Sequence, residues 1–161
     1  MSNIYLARDF MEMAIQEAQI AQSNNDVPIG AVIVYKGDII SKAHNKVILS
    51  NDPLAHAEML AISAAMKSLG QKNLSECDLY VTLEPCPMCA GAIVLARIRR
   101  VYIGTEDTKT GAAGSVYNIL QDQRLNHCCE VYNGIGRDKC SSLISNFFVE
   151  LRDKKRKIKY E

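Results

Sequence analysis

The stretch "LEPCPMCAG" at 83–91 constrains this chain more than any other. It places two cysteines three residues apart, fenced by prolines, where a strand pattern gives way to a helix pattern. Such a pair is a redox disulfide, half of a structural zinc site, or part of a catalytic metal centre. His56 in "AHAEM" adds a third ligand of the zinc-binding kind at the start of another helix pattern. Cys86 and Cys89, three apart in a first helical turn, share one face, so both sulfurs can meet one ion at ~2.3 Å. Free N–H groups and the positive dipole end of a helix N-terminus favour the thiolate that a metal requires. Pro87 removes only an N–H that would have had no intrahelical partner.

Two thiolates and an imidazole leave a fourth position to account for. Structural zinc is closed by four protein ligands, and Cys128, Cys129, His44 or His127 are the available fourth groups. Catalytic zinc takes three and keeps a water, and Glu58 supplies the carboxylate that such a water needs. Residues two apart in a regular helix point roughly 200° apart. The helix is therefore expected to begin at about His56, with Glu58 reaching around to the water. "HAE" and "PCPMC" together point to catalytic zinc.

The surrounding pattern alternates strands and helices. Leu6, Phe10, Met13, Ala14, Glu17, Ala18 and Ala21 predict an amphipathic first helix closed by Asn24 and Asn25. "IGAVIVYKGDIISKAHN" predicts a β-hairpin turning at Lys36-Gly37-Asp38. "SNDPLAHAEMLAISAAMKSLG" is the clearest helix, with Asn51 or Asp52 as cap, Pro53 in the first turn and Gly70 at its end. Strands are expected at 78–83 and 100–104 and within "CCEVYN", with a helix opening at Pro87 and a closing helix in "KCSSLISNFFVELRDKKRK". The Pro87 helix is apolar nearly all round, so it must pack on both sides. The sum is one α/β domain over 1–161, a mixed sheet covered by helices.

Composition excludes other classes. The N-terminal apolar pattern carries Arg8, Asp9, Glu12 and Glu17, unlike a signal peptide, and no apolar run approaches the ~18 residues of a membrane span. A cytoplasmic protein is expected, in which the six cysteines are thiols unless a metal or catalysis uses them. Cys77 and Cys140 read as core residues, and Cys128 and Cys129 as core or strand-end thiols. Net charge is only +1, yet "RDKKRKIK" at 152–159 holds six basic side chains and one acid. A basic helix end at about 152–161 can contact phosphates or simply be solvated.

The pattern H-x-E…P-C-x-x-C is the mark of the zinc-dependent deaminases. It gives the reaction class, replacement of an amino group on a base by a water oxygen, without giving the base. Longer stretches narrow it. "VPIGAVIV", "HNKVILSNDPLAHAE", "LYVTLEPCPMCAGAIVLARIRRVYIG", "DTKTGAAGS" and "LISNFF" resemble the bacterial tRNA-specific adenosine deaminases, in order and over nearly the whole chain. The resemblance implies a cytidine-deaminase-like three-layer α/β/α fold with about five strands. It also implies one Zn²⁺ per subunit, a homodimer, and a tRNA anticodon stem-loop whose wobble adenosine becomes inosine. By position, His56, Cys86 and Cys89 would hold the zinc and Glu58 would shuttle protons. Asn45 would hydrogen-bond the flipped adenine. Asp107 and Lys109 would face the RNA backbone, and Phe148 and the basic tail would lie beside the anticodon loop. The rival readings are a free-base or nucleoside deaminase (guanine or cytosine) and, should a fourth protein ligand close the site, a zinc-stabilised nucleic-acid-binding module.

Overall fold

The computed structural model describes residues 6–160. Helix α1 (Ala7–Ser23) leads into strands β1 (Gly30–Tyr35) and β2 (Asp38–His44), followed by the single turn α2 (Val47–Ser50) and helix α3 (Ala57–Leu69). Then come β3 (Cys77–Leu83), α4 (Pro87–Leu95), β4 (Arg100–Thr105), β5 (Glu130–Asn133) and the long α5 (Arg137–Tyr160). The sheet runs β2-β1-β3-β4-β5. β1 is antiparallel to both its neighbours, while β3, β4 and β5 are parallel.

Side-chain alternation along the strands builds the layers. Ala31, Ile33, Leu79, Val81, Val101 and Ile103 pack with Ala61, Ile62 and Ala65 of α3 and with Ala90 and Ile93 of α4. Val32, Val34 and Tyr80 face the other way, against Phe10, Met11, Ala14 and Ile15 of α1 and Cys140 of α5. The result is the expected α/β/α sandwich. The hairpin turns as its sequence requires: Lys36 and Gly37 take positive φ of 50° and 86°, the pair that a tight turn matching strand twist demands. Parallel strands need crossovers. α4 supplies the first, and the irregular segment 106–129 supplies the second, laying Ala112, Ala113 and Leu120 on the α3/α4 face.

Two expectations need correction. The buried stripe of α1 is Phe10, Met11, Ala14, Ile15, Ala18 and Ala21, whereas Leu6 is exposed and Met13 and Glu17 are half-buried. Alanines on several sides of this helix leave the stripe's centre undefined by pattern alone. The helix carrying "HAE" begins at His56 as expected, but neither Asn51 nor Asp52 caps it. Asn51 takes a left-handed conformation that ends α2, and His56 is the N-cap of α3. Gly70, left-handed at the C-cap, ends α3 as expected. No helix among the described residues is long and apolar enough to cross a membrane.

Candidate metal centre

α3 and α4 point their N-termini at one spot. His56 and Cys86 are the N-cap residues of the two helices, and Cys89 lies in the first turn of α4, with Pro87 beside the cap. His56 Nδ1 is 3.6 Å from Cys86 Sγ and 3.5 Å from Cys89 Sγ. All three ligand atoms lie within 4.8 Å of one another. The fit to zinc can be tested on these distances. A nitrogen and a sulfur bound at ~2.05 and ~2.3 Å and meeting at the tetrahedral angle are ~3.6 Å apart. The donor set and its spacing fit the ion.

No other described residue joins the cluster. His44 pairs with Glu17 at 2.7 Å, and His127 Nε2–H donates to the Ile98 carbonyl at 2.7 Å. Cys129 is buried in the core, and the exposed Cys128 thiol donates to the Asp122 carbonyl. None of the four alternative ligands reaches the centre. Cys77 and Cys140 are core residues, as expected.

Electrostatics at the centre follow from burial and the helix ends. Cys86 is pulled down to about 5, chiefly by its hydrogen bond with Cys89 and further by the Cys89 and Met88 N–H groups of the α4 N-terminus. The same Cys86 contact, together with burial, pushes the Cys89 thiol up. Glu58 is 3% exposed, and burial pushes its carboxyl up to about 7, against the opposing pull of a hydrogen bond with Cys89. A carboxyl held there can both take and return a proton near neutrality. The orientation problem of "HAE" is resolved because His56 has extended φ and ψ of −74° and 150°, outside the helix, while Glu58 lies in its first turn.

The residues that the resemblance sets near the base and the RNA divide. Asn45 is 5% exposed and borders the centre, since its Oδ1 accepts the Ala57 N–H at 2.9 Å. Asp107 turns inward on its own loop, accepting the Lys109 and Thr110 N–H groups and the Thr110 hydroxyl. Lys109 is exposed. Phe148 is 41% exposed on α5, outside the core, while Leu143, Phe147 and Leu151 form the half-buried stripe of that helix. Two buried acids escaped the sequence reading. Asp26 accepts the Val27 and Ile48 N–H groups, tying α2 to the end of α1. Glu84 is bonded to the 107–115 loop. A lone acid in an apolar stretch signals a satisfied partner without naming it.

Residues 5–105 match the model of the cytidine and deoxycytidylate deaminase zinc-binding region. The tRNA-specific adenosine deaminase of Bacillus subtilis is 49% identical over 147 residues, 91% of either chain. A solved structure from work on A-to-I editing by tRNA:A34 deaminases at the wobble position is 44% identical, with a TM-score of 0.80. The match covers 83% of this chain and 97% of that one. A guanine deaminase from Bacillus subtilis is 43% identical with a TM-score of 0.63, over 68% of this chain and 71% of that one. This chain belongs to the tRNA-specific adenosine deaminases within the zinc-binding cytidine and deoxycytidylate deaminase family.

Proposed function

We propose that this protein deaminates adenosine to inosine at the wobble position of tRNA anticodons. The observation that carries the reading is the 49% identity, spanning 91% of both chains, to a tRNA-specific adenosine deaminase, in a chain whose His56, Cys86 and Cys89 form a zinc-sized triangle. Of two solved structures of near-equal identity, the tRNA:A34 deaminase matches with a TM-score of 0.80 over 83% of this chain and the Bacillus subtilis guanine deaminase with 0.63 over 68%, which favours RNA.

His56 Nδ1 and the sulfurs of Cys86 and Cys89 would hold one Zn²⁺ per subunit. When bound, the ion supplies a Lewis acid that activates a water for attack on the base. Glu58 takes the proton released by the attacking water and gives it to adenine N1. It then delivers the second proton to the departing amine, so water and adenosine become inosine and ammonia. With its Oδ1 committed to Ala57, Asn45 offers its Nδ2 as a donor to the extruded base. The 107–115 loop, shaped by Asp107 and carrying the exposed Lys109, holds the flanking RNA backbone, and Phe148 with the cations of 152–159 lies beside the anticodon loop.

The whole chain acts as one domain, in the cytoplasm where its substrate is. It works as a homodimer. Support for the dimer comes from α4, whose inward face is buried while Pro87 and Leu95 are exposed, Leu95 by 84%. The test of the function is to incubate the purified protein with unmodified cellular tRNA and sequence for inosine. Inosine confined to the wobble position supports the reading, and its absence refutes it.

A further inference from the structure

β3 runs directly into Glu84, and the metal ligand Cys86 follows two residues later. The Glu84 side chain is 3% exposed, and no ion pair among the described residues includes it. Its side-chain hydrogen bonds all come from one loop. Oε2 accepts the N–H groups of Ala113 and Ser115, both at 3.3 Å, and Oε1 accepts the Ser115 hydroxyl at 2.6 Å. The neighbouring Pro85 carbonyl accepts the Ala112 N–H at 2.8 Å. Gly111 completes the seat, because a Cβ there would stand 1.8 Å from Glu84 Oε2. This glycine has no positive φ, so it is needed for space.

A carboxylate removed from water carries a large desolvation cost unless donors replace the water. Here those donors belong to residues 113–115. The loop cannot lift without stranding the acid, and the acid is not satisfied unless the loop is seated. At its other end the loop is folded by Asp107, which collects the Lys109 and Thr110 N–H groups. The segment 107–115 is thus folded on itself at one end and tied at the other to Glu84 and the Pro85 carbonyl, the two residues that precede Cys86.

We infer that Glu84 is a positioning residue, whose carboxylate latches the 107–115 loop in fixed register with the strand end carrying Cys86. An RNA strand lying along the loop is thereby delivered to the metal centre. The latch stands on the contacts above, while the role of the loop toward RNA rests on the proposed function.

Glu84→Met keeps the side-chain length and removes both acceptor oxygens. Its zinc content should stay at one per chain. The amides of Ala113 and Ser115 should exchange at least ~10-fold faster while those of β3 and β4 stay protected. KM for an anticodon stem-loop should rise about 10-fold, with kcat changed less than about 3-fold. Gly111→Ala drives a methyl group into the carboxylate and to 2.5 Å from the Asp107 carbonyl oxygen, so its KM defect should be at least as large. In the Glu84→Met/Ser115→Ala double variant the Ser115 hydroxyl has already lost its acceptor, so the double should be no worse than Glu84→Met alone. Should Glu84→Met not fold, Ser115→Ala removes one donor and reads the same split at smaller amplitude. Unchanged exchange and KM would overturn the latch, as would parallel loss of kcat and zinc, or additive defects. If the wild-type protein deaminates a free base and ignores the stem-loop, the RNA role is overturned. The exchange and coupling data then decide the latch by themselves.

Discussion

Asn45 Oδ1 accepts the N–H of Ala57 at 2.9 Å, so a residue just past β2 caps the helix that carries Glu58. The arrangement answers two demands at once. His56 occupies the N-cap of α3 without a side-chain cap bond, because its Nδ1 is turned to Cys86 and Cys89. The orphaned helix donor would otherwise be buried without a partner. Asn45 fills that role and is fixed beside the centre by it.

Variants at this position separate the two roles. Asn45→Ala should lower stability by about 1 kcal/mol through the lost cap and also weaken turnover. Asn45→Asp keeps the acceptor for Ala57 but loses the amide donor. It should melt closer to the wild type while deaminating poorly. Thermal melts alongside kinetics check this, and an Asp variant with full activity would remove Asn45 from base recognition.

Zinc should be held by three protein groups. Cys86→Ala, Cys89→Ala and His56→Ala should each lose the metal, and chelation of the wild type should lower its melting point. An ion present at 1,000 times its Kd contributes about 4 kcal/mol to stability, which sets the scale of the loss. Elemental analysis is the measurement. Full zinc occupancy in Cys89→Ala would exclude that sulfur as a ligand.

Glu58→Gln should keep zinc, fold and RNA binding while losing turnover. Proton transfer by a positioned group contributes typically ~10²–10⁴-fold, and a shuttle used twice belongs at the upper end. Single-turnover kinetics on a stem-loop would measure the drop. Activity within a few-fold of the wild type would assign the proton transfers elsewhere.

Gly30→Ala should be severely destabilising. A Cβ at Gly30 would stand 1.9 Å from the Ala14 carbonyl oxygen and 2.7 Å from the Ala18 nitrogen, both backbone atoms of α1. Neither can yield without moving the helix off β1, so the cost should exceed the ~1–3 kcal/mol typical of an overpacked core. Denaturant unfolding tests it, and a variant as stable as the wild type would mean that α1 does not lie this close to the sheet.

What the sequence made legible follows from what is local. The hairpin, the strands of the parallel half and the "HAE" and "PCPMC" helix starts were visible because turn residues, apolar runs and ligand spacing act over a few neighbours. Met11 and Ile15 were missed because alanine, small enough to face either way, blurs the periodicity of α1. The start of α3 near His56 was legible, but its capping side chain was not: Asn51 and Asp52 look like caps, whereas Asn45 bonds the Ala57 N–H from twelve residues upstream. Asp26 and Glu84 were invisible for the same reason. Their partners lie 22 and 31 residues away, and only the folded chain brings them together.

The central claim is the choice of substrate, and kinetics on matched substrates test it most directly. The zinc-loaded protein is given an anticodon stem-loop with a wobble adenosine, free adenosine, free guanine and free cytosine under one set of conditions. Inosine should form in the stem-loop, with little reaction on the free base or nucleoside substrates, and binding should weaken as salt rises because phosphate contacts contribute to it. Efficient deamination of guanine or cytosine with none on the stem-loop would contradict the account.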